Sequence, residues 1–120
     1  MFAWLLRKLK VPGPRSPWSV AVDGDVIRTS DGQGTSRELA IRDLTSVVVA
    51  TDDSGPWGDD VAFLLYAGAS MPLGVFPLEA TGCQDFVEWL GGQPGYRDRE
   101  LARAMASTKV ARFVVFERGK

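Results

Sequence analysis

Histidine is absent from the sequence and cysteine occurs once. The first absence removes the commonest general base and the commonest metal ligand, so a Ser-His-Asp arrangement is impossible and metal chemistry would have to rest on carboxylates. The single Cys83 excludes an intrachain disulfide framework. It lies on an apolar helical stripe without a basic neighbour, which reads as a buried inert thiol. Long apolar runs are missing too, none approaching the length that spans a bilayer. No glycine-rich stretch follows a strand and opens a helix, as a phosphate cradle requires, and no serine sits in a Gly-x-Ser-x-Gly elbow. Cations are lacking over a long interval: no Lys or Arg stands between Asp43 and Tyr96, while Asp43, Asp52, Asp53, Asp59, Asp60, Glu79, Asp85 and Glu88 do.

What is present fits one globular domain. The chain has 120 residues, 45% of them hydrophobic, enough to bury roughly two thirds of the unfolded surface in one core. Its net charge of −1 gives no electrostatic case for nucleic acid. The charge is uneven, because Arg7, Lys8, Lys10 and Arg15 precede the first acid and Arg97, Arg99, Arg103, Lys109, Arg112, Arg118 and Lys120 crowd the C-terminal part. Opposed patches of this kind either pair within the fold or steer a charged partner. Asp98 and Glu100 interrupt the second basic cluster, which favours a solvated helix over a nucleic-acid face.

The strongest local signal covers residues 81–90. Cys83, Phe86, Val87 and Leu90 recur at helical spacing, Thr81 and Gln84 have the spacing of a capping box, and Gly91 can end the helix. Residues 98–107 form a second expected helix with Leu101, Ala104 and Met105 inward and Asp98 as its cap. Period-two patterns predict strands over residues 18–22, 26–29, 36–40, 46–50, 61–66, 73–76 and 111–117, with turns at Asp23-Gly24 and at residues 31–34. Val47, Val48 and Val49 suit a central strand buried on both faces. Pro72 and Pro77 place residues 73–76 at a sheet edge. The last strand, apolar on both sides, is expected to be covered on both faces.

Phe2, Leu5, Leu6 and Leu9 make one stripe of a short N-terminal amphipathic helix. The cations follow this apolar run and no small-residue cleavage site appears, so it is not a secretory signal and a cytoplasmic setting is expected. Such a segment docks on the protein's own or a partner's surface, or gives weak membrane association. Pro12, Pro14 and Pro17 then form a stiff linker, so residues 1–17 divide from a single α+β domain over residues 18–120.

The expected fold is α+β, a curled antiparallel sheet of six to seven strands with two C-terminal helices. Over residues 18–90, the element order and the segment Ile41-Arg-Asp-Leu-Thr-Ser-Val47, leading into a central strand, resemble the bacterial pleckstrin-homology-like superfold. The runs Gly55-Pro-Trp-Gly-Asp-Asp60 and Pro94-Gly-Tyr-Arg97 are similar to those of small uncharacterised bacterial proteins. The resemblance implies a binding module and carries over no catalytic residues.

The most distinctive segment is the loop over residues 52–60, in which Asp52, Asp53, Asp59 and Asp60 surround Trp57 among Gly55, Pro56 and Gly58. An EF-hand would need alternating ligands and a terminal bidentate Glu, which are missing. A carboxylate pair doing acid-base work would need neighbours to split the two roles, and none is adjacent. An aromatic anchor rimmed by charge is the composition of a protein-binding hot spot, and a solvated loop with Trp57 folded onto the sheet is the plainer alternative. These five residues are the candidate partner-binding site. No cofactor is expected. The expected function is non-catalytic binding of a protein, which the acids would favour being basic. The alternatives are an immunity-type neutralising partner of a basic toxin and a small carboxylate-dependent enzyme.

Overall fold

Alternating apolar and polar residues after Trp18 build three antiparallel strands in the computed structural model, which describes residues 18–52, 60–107 and 110–118. The expected N-terminal helix and proline linker lie outside the described residues. Strands β1 (Ser19–Asp23), β2 (Val26–Ser30) and β3 (Ser36–Ala40) form a meander in that order. Asp23 pairs with Val26, so the hairpin turn is Gly24-Asp25, one residue later than expected. Gly24 takes φ 62°, a region closed to most side chains. In the second turn the Asp31 carboxylate accepts the Gln33 N–H at 2.7 Å and the Thr35 N–H at 3.1 Å.

A single 3-10 turn, Ile41–Asp43, then takes the chain out of this sheet. The Ile41 N–H donates to the Asp25 carbonyl at 2.8 Å and the Leu44 N–H to the Ile41 carbonyl at 3.1 Å. A second sheet begins with β4 (Ser46–Asp52), continues through β5 (Asp60–Tyr66) and β6 (Gly74–Pro77), and is completed by β7 (Ala111–Glu117). Its order is β6-β5-β4-β7, antiparallel throughout.

The expectation of one curled sheet of six to seven strands is therefore corrected. The strands divide into a three-stranded and a four-stranded sheet. Two features divide them: the 3-10 turn separates β3 from β4, and β7 pairs with β4 instead of closing onto the first meander. β4 is central, with Val47 and Val49 fully buried and Val48 9% exposed, and β6 is an edge strand as its prolines required. β7 is also an edge strand, with Val115 and Phe116 buried but Phe113 and Val114 only half-buried, short of the expected full cover on both faces. Its outer margin is partly occupied by the segment before the second helix, where the Arg97 N–H donates to the Val115 carbonyl at 2.8 Å and the Glu117 N–H to the Gly95 carbonyl at 3.1 Å. A register shift between Val47 and Val48 bulges β7, and Val115 and Phe116, adjacent in sequence, are both buried.

Helix α1 (Cys83–Gly91) packs beside β1, and α2 (Asp98–Ala106) packs on β7 and β4. The expected capping box does not form. Gly82, left-handed at φ 89°, is the N-cap, with no side-chain capping bond. Thr81 is drawn into a short parallel bridge with Ser19: its N–H donates to the Trp18 carbonyl at 2.9 Å and its carbonyl accepts the Val20 N–H at 2.8 Å. Arg97, not Asp98, is the N-cap of α2. The apolar stripe of α1 is as expected, with Cys83, Phe86 and Leu90 buried. Phe86 stands edge-on to Phe76 at 5.2 Å and to Phe63 at 6.2 Å, while Phe63 and Phe76 stack at 5.1 Å. Ile27 and Leu39 of the first sheet, Leu65 and Val49 of the second, and Ala104 and Met105 of α2 close the same core.

Candidate functional site

The acidic loop can be located only by its ends. Asp52 is the last residue of β4 and Asp60 the first of β5, paired across the hairpin. Asp53, Trp57 and Asp59 lie outside the described residues, and the expected partner site with them. Cys83 is buried. Burial, together with the nearby charge of Glu79, pushes its thiol up to about 12, so a thiolate nucleophile is strongly disfavoured there.

The cations of the basic C-terminal region are largely engaged. Arg97 pairs with Glu117 at 2.6 Å, and Arg103 pairs with Glu100 at 3.0 Å while lying over the Phe113 ring at 5.5 Å. On the outer face of the three-stranded sheet Arg28 bonds both Asp23 and Glu38 at 2.7 Å. These pairs are exposed and contribute little stability each, but they blunt the patches that the linear sequence suggests. Among the described residues, no group of three or more Cys, Asp or Glu side chains could hold a metal ion.

A cleft of about 640 Å³ opens where four separated segments meet. The β1–β2 turn supplies Asp25, the 3-10 turn supplies Ile41 and Arg42, the end of α1 supplies Trp89, and β7 and its exit supply Phe116 and Arg118. Local chemistry holds these walls in place. The Arg118 guanidinium donates to the carbonyls of Leu44 and Ile41, both at 2.7 Å, which fastens the end of β7 to the turn. Trp89 leans on Phe86, ring centres 5.7 Å apart and tilted by 41°. Gln93 donates its side-chain amide to the Trp89 carbonyl at 3.3 Å and so closes the end of the helix. Trp89 is half-buried and Arg42 is exposed. The result is an apolar floor with guanidinium groups and one carboxylate around it, suited to hold an apolar side chain and to donate hydrogen bonds to oxygen acceptors beside it.

No protein-family model, curated protein or solved structure matches this chain.

Sequence reasoning missed the cleft. Trp89 reads from the helical spacing as a border residue, but Arg42 and Arg118 are separated by most of the chain and share no motif. The β4–β7 pairing, the Arg118 N–H on the Thr45 carbonyl and the Arg118 guanidinium on the Leu44 and Ile41 carbonyls bring them to one place. Among the described residues no helix is long and apolar enough to cross a membrane.

Proposed function

We propose that the chain is a non-catalytic protein-binding module that takes an apolar anchor of its partner into the cleft beside Trp89. The observation that carries this reading is the juxtaposition of a half-buried Trp with Arg42 and Arg118 on a rigidly held frame. Trp and Arg are the residue types that dominate interface energetics, and such residues work best when the supporting elements do not move. The partner segment that fits is an apolar side chain followed by a carboxylate or an unpaired backbone carbonyl. A second reading, neutralisation of a basic toxin, is favoured by the span from Asp43 to Tyr96 without a cation. In that reading the loop acids accelerate encounter and weaken in effect as salt rises.

A peptide-display library panned on the full chain tests the first reading. Enriched peptides should share an apolar residue beside an acidic one and should be lost with Trp89→Ala and with Arg42→Ala, each checked for native circular dichroism. If panning enriches nothing, or if both variants retain the same peptides at the same affinity, the cleft is not the binding site.

A further inference from the structure

Two cations on the wall of the cleft beside Trp89 lack an acid to neutralise them. Arg28, Arg97 and Arg103 each bond a carboxylate. Arg42 and Arg118 have no carboxylate partner among the described residues, although Asp25 lines the same cleft. Two positive charges thus stand against one negative, which favours an anion.

Arg118 is also prepared for one shape of anion. Its Nε and Nη2, the side-on pair of the guanidinium, donate to the Leu44 and Ile41 carbonyls. Neutral carbonyls fix the group without cancelling its charge. Nη1 bonds no other described residue, so the end-on fork, one N–H of Nη1 and one of Nη2, remains to grip both oxygens of a carboxylate. Ile41 and Leu44, whose carbonyls hold the fork, also line the apolar part of the cleft. A ligand filling the site therefore presents an oxyanion and an apolar group side by side.

Peptide geometry decides which part of a partner does this most directly. In an extended segment neighbouring side chains point to opposite sides, and those on one side are about 7 Å apart. An internal acid reaches the fork beside an apolar anchor only where the segment bends. A chain terminus needs no bend, because its last side chain and its carboxylate branch from one Cα, the carboxylate carbon about 1.5 Å away. Asp25, exposed at the wall, repels a second acid and can accept a backbone N–H of the entering segment. The volume of about 640 Å³ suits a few residues, not a folded element.

We infer that the cleft captures the free C-terminus of a partner protein whose last residue is apolar. Arg118 and Arg42 take the terminal carboxylate, and the last side chain lies against Trp89. This rests on the reading of the cleft as the partner site and names the part of the partner that enters it.

Two display libraries panned on the full chain test the inference, one with free peptide C-termini and one with the C-termini fused to the carrier. The first should enrich peptides ending in an apolar residue. Synthesised both ways and measured by calorimetry, each should bind at least about tenfold more weakly as the C-terminal amide than as the acid. Arg118→Lys keeps the charge but loses the fork, and should bring acid and amide within about threefold of each other. Should that variant lose native circular dichroism, Arg42→Gln decides, since it should also narrow the difference. Peptides that bind alike as acid and amide, yet are lost with Trp89→Ala, overturn the inference and leave the cleft as the partner site. An acid preference untouched by both arginine variants overturns it too, because the terminus is then read elsewhere. So does N-acetyl-leucine binding as tightly as the peptides, the mark of a site for small acids. Enrichment in neither library, or binding unchanged by Trp89→Ala, removes the partner site itself and the inference with it.

Discussion

The start of α1 offers a direct contest between two side chains, Thr81 and Gly82. If a capping box organised this helix, Thr81→Ala would cost about 1 kcal/mol and Gly82→Ala would be nearly free. The structure reverses the order. Thr81 is exposed and acts through its backbone, so Thr81→Ala should change stability by no more than about 0.5 kcal/mol. At Gly82 a side chain meets two obstacles. The left-handed φ of 89° costs roughly 1 kcal/mol for any L-residue with a Cβ. That Cβ would also overlap the Val20 carbonyl, and moving β1 aside strains the two hydrogen bonds of the Thr81 bridge, each contributing about 1 kcal/mol. Gly82→Ala should therefore cost about 3 kcal/mol, a large part of the 5–15 kcal/mol expected of a domain this size. Urea denaturation followed by tryptophan fluorescence, with the m-value checked for constancy, measures both variants. A Gly82→Ala midpoint within error of wild type, or a Thr81→Ala loss above 1 kcal/mol, would refute the argument that the β1 bridge, not a side-chain cap, starts this helix.

Other outcomes follow from the same geometry. Phe86 is 1% exposed between Phe63, Phe76 and Trp89, so Phe86→Ala should cost about 4 kcal/mol by urea denaturation, combining a cavity with lost ring contacts; a loss under 1 kcal/mol would show that α1 is dispensable to the core. Cys83 should react with a thiol reagent only through opening of the fold, so its labelling rate at pH 8 should follow stability across variants and rise in Gly82→Ala. The Gln33 and Thr35 N–H groups hold the Asp31 carboxyl below its usual 3.8. Its stabilising contribution is thus complete above that value and is lost as pH falls from 3.8 towards the depressed folded value, because the unfolded chain takes up the proton first. The Tm difference between wild type and Asp31→Asn should shrink over that acid range, and a difference constant down to pH 2 would show that the turn bonds do not favour the carboxylate.

Among the described residues, the sequence alone determined which segments are strands and which are α-helices, because those choices rest on periodicity that neighbouring residues impose on one another. Residues 36–40 and 111–117 are strands with the expected bounds, and Leu101, Ala104 and Met105 face inward from α2 as their spacing requires. Tertiary structure decided everything that depends on which strand meets which. The division into two sheets follows from β7 choosing β4 across some sixty residues, a pairing that leaves no local mark in either strand. Thr81 has the spacing of a cap, but its backbone is taken by Trp18 and Val20, and Gly82 inherits the role through a left-handed conformation that glycine, unlike other residues, adopts cheaply. The cleft is lined by four segments far apart in sequence, two of which the Arg118 guanidinium joins by bonding two carbonyls of a distant turn. Val48 and Val49 are the same residue type and adjacent; only the placement of both helices on the Val49 side decides that Val49 joins the main core cluster while Val48 turns to the opposite face.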